Sequence, residues 1–356
     1  MKINHNYYLD LAFNLAKINL GKTKMNPAVG CVIVKNGSVI SSGFTSVGGR
    51  PHAEYNALNR NLNFNNADLY VTMEPCTHYG LTKPCTDLIK KKGIKNVYYS
   101  FDDVDYRTSK KAVLTLKKEK IRVFKKNSSK HLDFYKSYFI NKNRQLPYID
   151  AKIAISKDYF TINKKKKWIT NFYSRLRGHL IRSRYDSIIS TATTINKDNA
   201  LLNNRINGFD LNKPDLIIID IKLKIKKKIR LFNLSNKRKI LIVTSSSNNN
   251  KISYFKKKGI KFIKIKSLTN RNDFLDLLKL FKKKGYNRTL VEAGLTFLNT
   301  LVKNKIITNL YIFQSPYKLG KFGKNNAPIS LLKQKKLIKK IKVNLYEDSL
   351  YKIRIK

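Results

Sequence analysis

The chain has 356 residues, more than the roughly 250–300 at which a single core stops growing, and 42% of them are hydrophobic, so two folded domains are expected and a disordered tail is excluded. Its 74 Lys+Arg against 22 Asp+Glu leave a net charge of +52, but the lysine runs 90–92, 164–167, 226–228 and 282–284 are spread over both halves, which favours solvated surface over a specific nucleic-acid face. Three cysteines do not make a disulfide framework, no apolar run reaches the roughly 18–20 residues of a membrane helix, and no signal segment is visible; a soluble, cytoplasmic protein is expected.

Residues 7–20 place Tyr8, Leu11, Ala12, Leu15, Ala16 and Ile18 on one helical stripe. The apolar run 29–34 predicts a buried strand, with Cys31 as an inert core thiol, and Asn36-Gly37 turns it into a partner strand at 38–44. A helix over 52–60, a strand over 68–73, a helix over 85–92, a strand over 96–101, a helix over 109–118 and a short strand over 121–124 follow. Strands alternating with helices indicate an α/β domain, 1–145. A second α/β domain, 146–356, opens at Leu146-Pro147. Its predicted strands are 148–156, 186–191, 215–220, 239–244, 289–292 and 309–314, with helices over 174–182, 273–283 and 295–302. A terminal hairpin pairs 341–346 with 350–355.

The most informative residues are His52-Ala53-Glu54 and Glu74-Pro75-Cys76, followed by Cys85. Zinc takes tetrahedral nitrogen and sulfur ligands, and a catalytic site supplies three and leaves the fourth position to water. His52, Cys76 and Cys85 fill that set. Glu54 is not needed as a ligand and is free to carry protons as the catalytic acid–base. The pattern resembles the signature of zinc-dependent nucleobase deaminases. The spacing differs from that of the nucleic-acid deaminases, because eight residues separate Cys76 from Cys85. His5, His131 and His179 read as ordinary core or surface histidines.

The stretch 74–85 is similar to the E-P-C-[ST]-H-x-G-[RK]-T-P-P-C element of the bifunctional riboflavin-biosynthesis deaminase–reductase family, and 26–34 to its N-P-x-V-G-[CA]-V-[IV]-V element. The resemblance implies a cytidine-deaminase-like three-layer first domain. It also implies hydrolytic removal of an amino group from a phosphoribosylamino-diaminopyrimidinone, with Asn26 and His78 binding substrate. Leu81 stands where the family usually has a basic residue, and 102–111 departs from the family's D-P-N-P-x-V-x-G-x-G.

The second domain has no G-x-G-x-x-G fingerprint; Val291-Glu292-Ala293-Gly294 before a helix is only a weak anion-site signal. The resemblance extends across it, through Pro147-Tyr148-Ile149 with Lys152, Ala154 and Ser156, through Trp168-Ile169-Thr170, through 182–205, and through 291–294. It implies a dihydrofolate-reductase-like fold that binds NADPH at Ala154, Trp168, Thr194, Asp198 and Gly294. Lys166, Arg182, Leu202, Arg205 and Glu292 would face the substrate, with the two arginines on its 5-phosphate. Lys166, Asp158-Tyr159 and Asn199-Ala200 depart from the family pattern. The expected partner is a small phosphoribosyl pyrimidine, with no membrane and no specific nucleic acid; a homo-oligomer is compatible with the sequence. Two alternatives stay open here: a deaminase whose reductase domain has lost its chemistry, and a nucleic-acid deaminase.

Overall fold

The structure, a computed structural model, describes residues 4–208, 214–327 and 340–355. Its chain separates into two units, Met1–Gln145 and Leu146–Lys356.

In the first unit, α1 (His5–Ala16) starts where the Asn4 side chain accepts the Tyr7 N–H, a polar N-cap that satisfies one of the free first-turn donors. There follow β1 (Gly30–Lys35), β2 (Ser38–Phe44), α2 (Ala53–Leu58), β3 (Asp68–Met73), α3 (Cys85–Lys91), β4 (Asn96–Phe101), α4 (Ala112–Lys118), β5 (Arg122–Lys125) and α5 (Lys136–Arg144). The sheet order is β2-β1-β3-β4-β5. β1 is antiparallel to both neighbours, and β3, β4 and β5 run parallel.

Alternation along β1 makes this a three-layer unit. Val32 and Val34 pack with Leu9 and Ala12 of α1, whereas Cys31 and Ile33 face Ala57, Leu58, Ile89 and Leu116 from α2, α3 and α4. Gly43 lets α2 lie directly on β2, because a Cβ there would meet the Ala53 carbonyl oxygen at 2.5 Å. That close approach fixes the helix whose first turn carries the site.

The second unit contains β6 (Tyr148–Ile155), β7 (Phe160–Asn163), α6 (Phe172–Arg182), β8 (Ser187–Thr191), α7 (Ala192–Asp198), β9 (Asp215–Ile219), β10 (Ile240–Thr244), α8 (Asn249–Lys257), β11 (Lys261–Lys264), α9 (Arg271–Lys283), β12 (Arg288–Val291), α10 (Leu295–Lys303), β13 (Asn309–Gln314), β14 (Gly323–Asn326) and β15 (Ser349–Arg354). Eight strands run in the order β11-β10-β9-β8-β12-β6-β13-β15, and β14 pairs with β7 in a separate ribbon. Every pairing in the large sheet is parallel except β13 with β15. Both faces are covered, as a parallel sheet requires. Ile217, Ile219, Leu241 and Val243 meet α9 and α10 through Phe274, Phe281, Leu298 and Leu301. Leu216, Ile218, Ile240 and Ile242 meet α6, α7 and α8 through Ile181, Ile195, Ile252 and Phe255.

Two expectations need correction. The helix expected over 109–118 starts at Ala112, because Lys110 adopts a left-handed backbone, φ 61°, that no α-helix accommodates. The expected terminal hairpin does not form: β15 gives its ladder to β13, and 341–346 keeps only the isolated Lys340–Tyr351 bridge and one bond from the Ile341 N–H to the Leu350 carbonyl. That segment instead caps α6, since the Leu345 carbonyl accepts from the Asn171 side chain and Asp348 accepts from the Asn171 and Ser174 N–H and O–H groups, respectively. Among the described residues, no helix is long and apolar enough to cross a membrane.

Candidate functional site

Three elements of the first unit deliver the expected ligands to one point. His52 is the N-cap of α2, Cys76 lies three residues beyond β3, and Cys85 is the first residue of α3. The His52 Nδ1 lies 3.6 Å from the Cys76 Sγ and 3.5 Å from the Cys85 Sγ. Zinc–sulfur and zinc–nitrogen bonds of about 2.3 and 2.0–2.1 Å at a tetrahedral angle place N and S about 3.6 Å apart, so the donors fit that metal without rearrangement. Hydrogen bonds from Cys85 and His52 hold the Cys76 thiol down to about 4, the direction a metal-binding thiolate needs. The third donor, Cys85, also points its backbone N–H at the Cys76 sulfur, at 3.3 Å.

Glu54 stands in the first turn of α2, 4% exposed, and is not part of the converging donor set. Burial pushes its carboxyl up to about 7, against the opposing charge of His52. Asn26 is placed beside the histidine's approach segment: its Nδ2 donates to the Gly49 carbonyl at 2.8 Å, and its own carbonyl accepts from Thr23 Oγ1 at 2.7 Å. His78 sits in the inserted loop, with its Nδ1 3.0 Å from Thr108 Oγ1.

Stretch 102–111, whose sequence departs from the expected pattern, is held from elsewhere. Glu74 accepts the N–H groups of Asp103, Lys110 and Ala112 at 3.2, 3.0 and 3.0 Å. Leu81 is 89% exposed, and the Arg50 guanidinium donates to the neighbouring Thr82 hydroxyl, so a cation borders the loop position that lacks its usual basic residue.

In the second unit Ala154, Thr194, Glu292 and Gly294 lie at or just beyond the carboxyl ends of three adjacent parallel strands, β6, β8 and β12, where open α/β sheets place their ligand crevice. Thr194 lies in the first turn of α7, directly after β8. Its Oγ1 accepts the N–H of Gly294, the N-cap of α10, at 3.1 Å. Ala154 pairs with Phe313 near the end of β6.

Glu292 follows β12 and meets Arg182 of α6 in a two-pronged ion pair, with Nη2 to Oε2 at 2.8 Å and the Nε on the other oxygen. Burial works against the Glu292 charge, but the guanidinium outweighs it and brings the carboxyl down to about 2. Arg205 joins through Asn203, donating to its Oδ1 at 2.8 Å, while Arg182 donates to the Asn203 carbonyl at 3.1 Å. Leu202, one residue before Asn203, is buried with a left-handed φ of 49°.

Trp168 is 54% exposed with the Arg175 guanidinium 5.0 Å from its ring centre. Lys166 is exposed and is tied only through its backbone N–H to Asn163. Asp198 ends α7; burial pushes its carboxyl up, opposed by Lys197 and by Lys167 next to Trp168. Trp168, Lys166 and Asp198 make none of the hydrogen bonds described for the arginine cluster.

Sequence reasoning gave no supporting role to four residues that organise these sites. Glu74 and Arg50 act in the first unit. His179 stands beside Arg182 and Arg205, and only its position three residues before Arg182 on a helix could have signalled it. Arg238 is 6% exposed and donates to the Leu202 and Pro214 carbonyls at 2.6 and 3.1 Å, tying down the segment that bears Leu202.

Comparison with known proteins divides along the same line. The family model of the cytidine and deoxycytidylate deaminase zinc-binding region matches residues 2–101, and that of the RibD C-terminal domain matches 147–350. The riboflavin biosynthesis protein RibD of Aquifex aeolicus is 31% identical over 349 residues, covering 96% of each chain. That of Actinobacillus pleuropneumoniae is 30% identical over 317 residues, covering 88% of this chain and 84% of the relative. Among solved structures, Acinetobacter baumannii RibD in form 2 matches with a TM-score of 0.80 at 26% identity over 98% of both chains. The Thermotoga maritima diaminohydroxyphosphoribosylaminopyrimidine deaminase/5-amino-6-(5-phosphoribosylamino)uracil reductase matches with a TM-score of 0.82 at 25% identity, also over 98% of both.

Proposed function

Because the chain belongs to the RibD family of riboflavin-biosynthesis proteins, we propose how its residues divide the work of the two activities. It is a bifunctional enzyme of riboflavin biosynthesis, a zinc-dependent deaminase followed by an NADPH-dependent reductase, with a cytidine-deaminase-like first domain and a dihydrofolate-reductase-like second one. The first half acts on the diaminohydroxyphosphoribosylaminopyrimidine, and the second on 5-amino-6-(5-phosphoribosylamino)uracil. Substrates that carry a phosphate do not cross bilayers unaided, and a cytoplasmic location suits them.

His52, Cys76 and Cys85 hold the zinc, which when bound supplies an activated water near neutral pH. Glu54 takes a proton from the attacking water and returns it to the ring nitrogen. It then takes the second proton from the newly added hydroxyl and delivers it to the departing amino group, so that ammonia leaves and a carbonyl remains. Its buried position excludes bulk water from that exchange. The Asn26 amide orients the pyrimidine, and His78 contacts the substrate beyond the ring.

In the second half NADPH, when bound, would supply a hydride; that hydride at C1′ of the opened ribosylamine and a proton at the adjoining nitrogen give the ribityl product. Ala154, Trp168, Thr194, Asp198 and Gly294 line the cofactor. Arg182 and Arg205 take the phosphate, Glu292 orients Arg182, and Leu202 and Lys166 border the substrate.

The observation that carries the reading is the trio of donors at zinc spacing beside a buried Glu54 that is not one of them. The test is NADPH oxidation on adding the diaminopyrimidine substrate to zinc-loaded protein, with ammonia measured in the same tube. Oxidation that needs both zinc and substrate supports both assignments. Ammonia without oxidation removes the reductase assignment, and the absence of both removes the whole reading.

A further inference from the structure

Of two neighbouring guanidinium groups in the second unit, one has a carboxylate partner. Arg182 commits its Nε and Nη2 to Glu292, and among the described residues no carboxylate lies within salt-bridge reach of Arg205. Like charges this close separate unless something holds them. The group between them is His179 of α6, whose Nε2 lies 3.3 Å from Arg205 Nη2 and whose Nδ1 lies 3.1 Å from the Asn203 carbonyl oxygen.

An arginine only donates and a carbonyl only accepts, so one tautomer satisfies both contacts: Nδ1–H toward Asn203, and a bare Nε2 toward Arg205. Arg182 Nη1, 3.3 Å from Nδ1, then shares the second lone pair of the same carbonyl, at 3.1 Å. A doubly protonated ring would present a third positive charge to the pair and lose the acceptor that restrains Arg205.

We propose that His179 is a positioning residue of the reductase half: a neutral imidazole that holds the Arg205 guanidinium beside Arg182, so that their uncommitted N–H groups converge on the substrate's phosphate. The inference rests on the reading of these arginines as the phosphate site. Burial, with Arg182 and Arg205 alongside, keeps the imidazole down to about 4, so it stays neutral at the pH of the reaction. Arg238 supports the same arrangement from below through the carbonyls of Leu202 and Pro214.

The test uses the full zinc-loaded chain, with the reductase assayed on the deaminated phosphoribosyl substrate and KM for NADPH, together with Trp168 fluorescence, as the folding control for the second unit. His179→Phe removes the acceptor and the donor, His179→Gln retains one of each, and Arg205→Ala removes the group being positioned. His179→Phe is expected to raise KM for the phosphoribosyl substrate about tenfold or more, the scale of one hydrogen bond to a charged group. It should leave kcat within about twofold and KM for NADPH unchanged. His179→Gln should recover most of the loss, and in the Arg205→Ala background His179→Phe should add nothing.

If Arg205→Ala raises KM but His179→Phe does not, His179 only fills space and the proposal fails while the phosphate site stands. A KM untouched by Arg205→Ala overturns the phosphate reading and the proposal with it. Equal His179→Phe losses in the presence and absence of Arg205 would show a general structural effect, and would also overturn it.

Discussion

Glu292→Gln keeps the shape of the residue beside Arg182 and removes its charge, leaving a guanidinium whose side chain is only 13% exposed without its counter-ion. The Glu292 carboxyl lies at about 2 in place of 4.5, a gap of about 2.5 pH units. At about 1.4 kcal/mol per unit this amounts to about 3 kcal/mol, within the range for breaking one side of a buried ion pair. In a domain this size the loss lowers the midpoint of thermal unfolding by about 6–12 °C. Because the folded value is depressed, the stabilisation is fully present above about 4.5. It fades as pH falls toward about 2, so wild type and variant should converge in acid. The chain's single tryptophan, Trp168, belongs to the second unit, so urea unfolding followed by its fluorescence reports that unit alone. An unchanged urea midpoint at neutral pH, or a gap as wide in acid as at neutrality, would refute the reasoning.

Glu54→Gln should retain one zinc per chain by metal analysis and lose deamination by about 10²–10⁴-fold; near-normal ammonia release would remove Glu54 from the mechanism. Stripping zinc with a chelator should abolish ammonia release yet leave NADPH oxidation on pre-deaminated substrate, since each unit has its own core; parallel loss of both activities would contradict that independence. Replacing Lys90, Lys91 and Lys92 with alanine should leave turnover unchanged and cost at most about 1 kcal/mol by urea titration. The ion pair at stake there among the described residues, Lys90 with Glu119, is 57% and 39% exposed. A collapse in turnover would assign those lysines a function.

Legibility followed the range of the interactions. The zinc donors were readable because ligand chemistry restricts residue type and spacing at once. The central strands β1, β9 and β10 were readable as nearly uninterrupted apolar runs. The elements missed, α5, α7, α8, β7, β11 and β14, are short: α8 buries only Ile252 and Phe255 among polar neighbours, and β11 carries lysine at both ends. Packing against the sheet decides such segments, and local pattern does not. Much of the supporting polar framework was invisible for a related reason. Arg238 meets Leu202 across 36 positions, and His179 meets Asn203 across 24, so neither pairing leaves a mark in any short window. The register of 341–346 was misread because its alternation fits a strand while its carbonyls and neighbouring Asp348 are engaged by Asn171 and Ser174.

Glu74 accepts three N–H groups that every residue except proline possesses. The path of 102–111 beside the zinc donors is therefore held near both ends by one carboxylate acting on the main chain, and between them by the buried Asp103, Asp105 and Thr108 side chains, which bond to Tyr138, to Arg107 and Lys142, and to His78. Substitutions can accumulate at the exposed Tyr106 and Lys111 while the loop keeps its course, whereas a proline at 103, 110 or 112 would delete a donor that no side chain replaces. The loop can thus drift in letters on its outer face while its polar interior keeps the course.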